Sequence, residues 1–251
     1  MSPAPLVSVI TPVWNAAATL AATVASVRAQ SLPDWEMLIV DDGSTDGSPA
    51  LAAALAAGEP RLRLLGWAEN RGAAAARNAG IRAARGRYLA FLDADDLWRP
   101  GKLAVQIGYM AATGAPFTFA AIDRIDPAGR RLGTIAVPAR VDHARLLRGN
   151  VIPCLTAAFD RQHYGAVEMP PLPRRQDYGL WLTLLGRGGE AHGLQQVLAD
   201  RRMRPGSLSS NKLVAAAGTW RVYREVAGLG RGRAAWYLGH NLARGALKRL
   251  G

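Results

Sequence analysis

The chain has 251 residues, 49% hydrophobic and 20% charged, a balance that excludes a disordered protein and fits a folded globular one. Its single cysteine, Cys154, excludes a disulfide framework and a cysteine-based zinc site, and makes a reducing compartment its natural home. The net charge of +12 falls wholly in residues 111–251, so that half is expected to face a polyanion such as phosphate ligands, anionic lipid or nucleic acid.

Residues 1–27 carry no charge, but they lack a basic start and are interrupted by Pro12 and Asn15, unlike a signal peptide. Residues 103–122 are also uncharged, yet Gln106, Gly108 and Gly114-Ala115-Pro116 spoil them as a spanning helix. A cytoplasmic protein is expected, at most peripheral on the inner face of the cytoplasmic membrane.

Leu6-Val-Ser-Val-Ile10 reads as a buried strand, and Leu20, Val24 and Val27 follow at helical spacing. Met37-Leu-Ile-Val40 is a second strand, ended by Asp41-Asp-Gly-Ser44. The alanine-rich segment 48–57 forms a helix, with a short strand at Leu62–Leu65. A helix over 73–84 and a strand over Tyr88–Leu92 come next, and Pro100 opens a helix carrying Leu103, Ile107 and Met110 on one face. This alternation predicts an α/β fold, a mostly parallel sheet covered by helices on both faces. Beyond residue 115 the pattern loosens. Phe117–Ile122 and Leu132–Val137 flank a turn at Asp126-Pro-Ala-Gly129, and residues 174–187 read as a helix. Two basic helical segments follow from 211 to 250. The expected division is an α/β half over 1–115, a second part of the same domain over 116–210, and a basic helical appendage over 211–251.

Parallel sheets bind ligands at the carboxyl ends of their strands, where the polar clusters Thr11 to Asn15, Asp41 to Ser44 and Asp93 to Asp96 fall. Asp93-Ala-Asp95-Asp96 packs three carboxylates into four residues, which repel one another unless a cation or basic side chain lies near. Hard oxygen ligands suit Mg²⁺ or Mn²⁺ bridging to a substrate diphosphate; a solvated acidic turn is the other reading. Asp41-Asp42 can accept from a ribose hydroxyl or a base N–H, or can belong to an ordinary turn capping the next helix.

Four ordered motifs then carry a resemblance. Ser8-Val-Ile-Thr-Pro-Val-Trp-Asn15, Ile39-Val-Asp-Asp-Gly-Ser-Thr-Asp46, Asn70-Arg-Gly72 with Ala76-Arg-Asn-Ala-Gly80, and Phe91-Leu-Asp-Ala-Asp-Asp-Leu-Trp98 resemble those of family 2 glycosyltransferases. The tail Arg202-Met-Arg-Pro-Gly-Ser-Leu-Ser-Ser-Asn-Lys212 resembles members that build O-antigen and capsular polysaccharides. The resemblance implies the GT-A fold, a Rossmann-like, mostly parallel sheet. It also implies sugar transfer from a nucleotide-sugar donor, UDP-sugars being usual, to a saccharide or polyprenyl-diphosphate-linked acceptor. Carried over by position, Thr11, Pro12 and Asn15 meet the base, and Asp41 and Asp42 contact base and ribose. Asn70, Arg77 and Asn78 help hold the diphosphate or sugar. Asp93 and Asp95 match the D-x-D, Asp95 being the more direct ligand of a divalent cation, Mn²⁺ or Mg²⁺.

Arg175-Gln-Asp177-Tyr-Gly-Leu-Trp181 resembles the segment whose aspartate deprotonates the acceptor, with Gln176 where an acidic residue usually stands. The resemblance implies Asp177 as the base; from sequence alone a first-turn residue favoured by the helix dipole is the preferred reading. Trp181 either stacks on an acceptor sugar or, by its spacing with Leu184 and Leu185, packs in the core. Cys154 and the four histidines show no ligand spacing and receive no role. At the C-terminal end, Trp236, Ala243, Leu247 and Leu250 form a stripe beside Arg233, Arg244 and Lys248, suited to an anionic membrane surface or to packing on the domain. No nucleic-acid module accompanies the charge, so no nucleic-acid partner is expected. Two other classes compete with the transferase: a noncatalytic nucleotide-sugar or polyanion-binding protein of the same fold, and a nucleotidyltransferase. The latter lacks its Gly-rich triphosphate loop here.

Overall fold

The computed structural model describes residues 4–203 and 212–247. Its first half follows the predicted alternation: β1 (Val7–Val13), α1 (Leu20–Arg28), β2 (Trp35–Asp42), α2 (Ser48–Ala57), β3 (Leu62–Trp67), α3 (Ala73–Ala83) and β4 (Tyr88–Phe91). A two-residue strand, β5 (Leu97–Trp98), then precedes α4 (Lys102–Thr113), β6 (Phe117–Ile125) and β7 (Arg131–Ile135). The remainder comprises β8 (Arg140–Val141), α5 (His143–Leu147), a 3₁₀ turn at Cys154–Thr156, β9 (Ala158–Asp160), α6 (Arg161–Tyr164), α7 (Gln176–Gly186) and β10 (Ala191–Arg202). Last come α8 (Lys212–Arg221), a π-helical turn over Val222–Val226 and α9 (Arg231–Leu247).

The strands form one sheet in the order β3-β2-β1-β4-β9-β6-β10-β5, with β7 on β6 and β8 on β10. β3, β2, β1 and β4 run parallel, as do β6 and β10, while the three-residue β9 is antiparallel to both β4 and β6. β9 and β10 have no counterpart among the predicted strands. β9 is too short to show a period, and the buried ends of β10 are separated by a half-exposed middle where its register with β6 shifts.

Alternate residues of the central strands face opposite sides, as the pleat requires. Val9, Met37, Ile39 and Ala90 meet the buried stripe of α1 (Leu20, Val24, Val27) and of α4 (Leu103, Ile107, Met110). Ile10, Leu38, Phe91 and Phe159 meet Ile81 of α3, Leu146 of α5 and Trp181 and Leu184 of α7. Gly80 lets α3 approach β1 closely: a Cβ there would lie 2.6 Å from Ile10 Cγ2. Trp181 is fully buried, its ring centroid 5.1 Å from Phe117 and 5.8 Å from Phe91, so its role is packing and not sugar stacking.

The C-terminal segments join this second face. Val222, Tyr223, Leu229 and Ala234 belong to its core, Tyr223 Oη donates to the Leu147 carbonyl at 2.7 Å, and Tyr178 Oη donates to the Leu146 carbonyl at 2.8 Å. The appendage therefore packs on the domain through the inner side of α9. Its outer side leaves Trp236 73% exposed, with Arg233 and Ala243 exposed on the same stripe. The side chains of Arg244 and Leu247, residues 248–251, and 204–211 of the predicted tail lie outside the described residues.

Candidate active site

Because β1, β2 and β4 are parallel neighbours, their carboxyl ends emerge side by side: Val13 lies opposite Asp41, and Ile10 opposite Phe91. The loops beyond β1 and β2 are laced together. Asn15, in the left-handed region at φ 49°, accepts from the Thr45 amide through Oδ1 at 2.8 Å, and its own amide donates to Ser44 Oγ at 2.9 Å. Asp41 Oδ2 accepts from the Ser44 amide at 3.2 Å, while its Oδ1 is buried without a partner among the described residues. Thr11 Oγ1 is likewise buried and unpartnered. Pro12 lies half-buried between them in sequence, within β1.

Asp42 is buried and fully occupied. Its carboxylate accepts from Trp67 Nε1 at 2.7 Å and from the Arg71 and Gly72 amides at 2.8 and 2.9 Å, holding the loop from β3 to α3 against the end of β2. This organising role differs from the ribose contact implied by the resemblance. Gly43 makes the closure possible: its φ is +71°, and a Cβ would lie 2.6 Å from the Glu69 carbonyl carbon. Asn78 is also committed to backbone, donating to the Met169 carbonyl and accepting from the Met169 amide, both at 2.8 Å. It pins segment 165–175 to α3. Asn70 is exposed and shares with Asn78 and Pro171–Pro173 a groove of about 630 Å³.

A second cavity, also about 630 Å³, gathers the chemistry. Arg77, Asp93, Asp96, Cys154 and Asp177 all line it, brought from α3, the loop after β4, the 3₁₀ turn and the first turn of α7. Arg77 Nη2 lies 2.5 Å from Asp93 Oδ1. Burial opposes the charge on Arg77, but the pull of Asp93, with a contribution from Asp177, raises its pKa, so it stays protonated. Asp93 remains 36% exposed at its side chain. Asp96 is nearly inaccessible; burial first, then repulsion from Asp93 and Asp95, raises its pKa well above the usual carboxylate range, although the Arg202 amide donates to it at 2.9 Å. The Asp95 carbonyl accepts from Arg202 Nε at 3.2 Å, so β10 braces the whole acidic loop. Asp177 is half-buried, with Asn150 Nδ2 at 3.4 Å from its Oδ2.

Of the predicted site residues, Arg77, Asp93 and Asp177 thus line one cavity. Thr11, Pro12, Asn15, Asp41, Asp42 and Asp95 sit at or beside the neighbouring strand ends without lining it, and Asn70 and Asn78 line the adjacent groove. Sequence reasoning missed Cys154, Arg145, Asn150 and Arg201 as cavity residues. They come from separated segments, and no local spacing announces them. Burial raises the Cys154 thiol well above its ordinary value, and the surrounding aspartates reinforce this, so it is not a thiolate.

Among the described residues no three His, Cys, Asp or Glu side chains converge as a metal cage. Asp95 and the part-exposed Asp93 present hard carboxylate oxygens after β4, of the kind that Mg²⁺ or Mn²⁺ accepts.

The profile of "Glycosyl transferase family 2" matches residues 8–155, more than half of the chain. The chain belongs to glycosyltransferase family 2. This glycosyltransferase is 42% identical over 233 residues to TuaG of Bacillus subtilis (strain 168), a protein assigned to teichuronic acid biosynthesis, covering 92% of each chain. It is 33% identical to the Escherichia coli UDP-Glc:alpha-D-GlcNAc-diphosphoundecaprenol beta-1,3-glucosyltransferase WfgD, covering 86% of this chain and 85% of that one. In fold it resembles S. aureus TarS 1-349 in complex with UDP-GlcNAc, with a TM-score of 0.74 and 18% identity over 94% of this chain and 71% of that one. It also resembles the mannosyltransferase PcManGT of Pyrobaculum calidifontis in complex with GDP-Man and Mn2+, with a TM-score of 0.70 and 20% identity over 100% of this chain and 76% of that one. The GT-A architecture expected from the motifs is therefore present.

Proposed function

We propose that this glycosyltransferase moves a sugar, with inversion, from a nucleoside-diphosphate sugar to a saccharide or lipid-diphosphate-linked saccharide in cell-surface polysaccharide synthesis. A UDP-sugar is the donor of this reading, supported by the UDP-sugars named for WfgD and TarS. The observation that carries the proposal is the convergence of Asp177 with Asp93 and Arg77 on one cavity at the carboxyl ends of the parallel strands.

Asp177 Oδ takes the proton of the acceptor hydroxyl as that oxygen bonds to the anomeric carbon, and the bond from that carbon to the diphosphate oxygen breaks on the opposite side. Asn150 orients the carboxylate. Arg77, held protonated, fixes Asp93. Asp95 and Asp93 would hold a divalent cation, which supplies neutralisation of the leaving diphosphate when bound. The buried, unpartnered Asp41 Oδ1 and Thr11 Oγ1 are the acceptors available to the donor's base and ribose. Asp177→Asn keeps the shape and removes the proton acceptor, so turnover is expected to fall by roughly 10²–10⁴ with donor affinity retained. Undiminished turnover in the purified variant removes Asp177 from the mechanism.

The same reading sets the enzyme on an anionic bilayer through the outer side of α9, where Trp236, Ala243 and Arg233 are exposed. Among the described residues no helix is long and apolar enough to cross a membrane. Trp236→Ser with Arg233→Glu should lower recovery with phosphatidylglycerol vesicles in sedimentation; equal recovery of variant and parent defeats the bilayer assignment.

A further inference from the structure

Four arginines line the cavity that holds Asp177: Arg77, Arg145, Arg175 and Arg201. Arg77 is neutralised by Asp93. The guanidinium groups of the other three make no hydrogen bond or ion pair to a described residue, although Arg201 acts through space on Asp96. Two of the three come from α5 and from the residue that opens α7, the helix that carries Asp177. Arg145 rises from the first turn of α5, whose start is fixed by Asp142 accepting from the Arg145 amide at 2.7 Å. α5 is tied to α7 by Tyr178 Oη on the Leu146 carbonyl. Arg175 stands two residues before Asp177 in the left-handed region at φ 63°, a conformation unfavourable for a non-glycine residue. Its carbonyl accepts from the Gly179 amide at 2.9 Å, and its stem lies against Gly218 of α8. The backbone of each is held while neither guanidinium has a partner among the described residues, an arrangement suited to an anion arriving from outside.

Resting on the transferase reading, we propose that Arg145 and Arg175 form an anion subsite for a phosphate or diphosphate ester carried by the acceptor. The group that surrenders its proton to Asp177 belongs to the acceptor, and an anion held from α5 and the start of α7, the helix of Asp177, is assigned to the acceptor with it. The donor's diphosphate is drawn to the Asp93–Asp95 loop after β4. The subsite selects a charged acceptor and presents its sugar hydroxyl to the base.

The test is calorimetric titration of the full chain, saturated with UDP and Mn²⁺, with hexyl diphosphate, hexyl glucoside and hexyl glucuronide. Hexyl diphosphate is expected to bind the UDP-loaded enzyme more tightly than either of the others. Arg145→Gln and Arg175→Gln should each weaken it roughly ten- to hundredfold, with UDP affinity unchanged. Arg201→Gln, which removes the same charge from the β10 side of the same cavity, should weaken it less. Melting curves of the variants check the fold. Displacement of hexyl diphosphate by UDP, an equal loss in Arg201→Gln, or equal affinity for the glucuronide overturns the proposal. Failure of UDP to bind strikes the transferase reading instead, and the arginine comparison made without nucleotide then decides the subsite.

Discussion

Lys102 is fully buried in the first turn of α4, its amine without a hydrogen-bond partner among the described residues and 3.9 Å from the Trp98 ring centroid. Burial lowers its pKa from 10.5 to about 7. The unfolded chain therefore binds this proton more tightly, and between about pH 7 and 10.5 it carries more protons than the native state. Stability must rise with pH across that window, and the penalty is fully present below it. At about 1.4 kcal/mol per tenfold change in proton affinity, the gap corresponds to roughly 5 kcal/mol. The indole beneath the ammonium offsets about 2 kcal/mol, leaving roughly 3 and moving the lower edge of the window up by about 1.5 pH units. Lys102→Met keeps the stem and drops the charge. For a chain of this length it should raise Tm at pH 7 by roughly 6 °C and flatten the pH dependence, the two proteins converging near pH 10. Calorimetric scans at pH 7, 8.5 and 10 test this. A variant that melts lower at pH 7, or a parent whose stability is flat from pH 7 to 10, refutes the inference that this amine is dry and unpaired.

Burial pushes the Glu36 carboxyl up, but hydrogen bonds from Ser8, Arg63 and the Arg85 amide outweigh it and hold its pKa below 4.5. Its contribution is present above pH 4.5 and is lost as pH falls through the native value; Glu36→Gln should cost about 2 kcal/mol at pH 7 and soften the acid transition in urea melts. Asn78→Ala removes both bonds to Met169, so a loss of about 2 kcal/mol is expected, with faster amide exchange over 165–175 by mass spectrometry. Unchanged exchange there would show that the clasp does not hold the segment.

The first half of the fold was legible because β1, β2 and β4 are buried enough to read as apolar runs, and α1 and α4 repeat at the helical period. Leu20, Val24 and Val27 face the core as spaced, as do Leu103, Ile107 and Met110. β1 nevertheless extends through Thr11 and Pro12 to Val13, because parallel pairing with β2 continues past the apolar run. β9 and β10 escaped notice for the opposite reason: their place depends on partners distant in sequence. At the site, Asp93, Arg77 and Asp177 were found through motif resemblance. Arg145 and Arg201 carry no such mark, since only the fold brings α5 and β10 to one cavity. Asp42 and Asn78 looked like ligand contacts because polar side chains at strand ends and helix starts serve substrate and backbone alike; here their partners are backbone groups and an indole.

Tyr223 reaches the Leu147 carbonyl and lies 3.3 Å, oxygen to oxygen, from Tyr178, the residue next to Asp177. The tail thus acts as a buttress for α7, the helix that carries Asp177. A truncation cut before Val222 exposes the Tyr178 side of the core and is expected to unsettle Asp177 with it. Shortened versions for crystallisation or for grafting onto another anchor should keep the chain at least through Asn241, whose amide packs against Gly149.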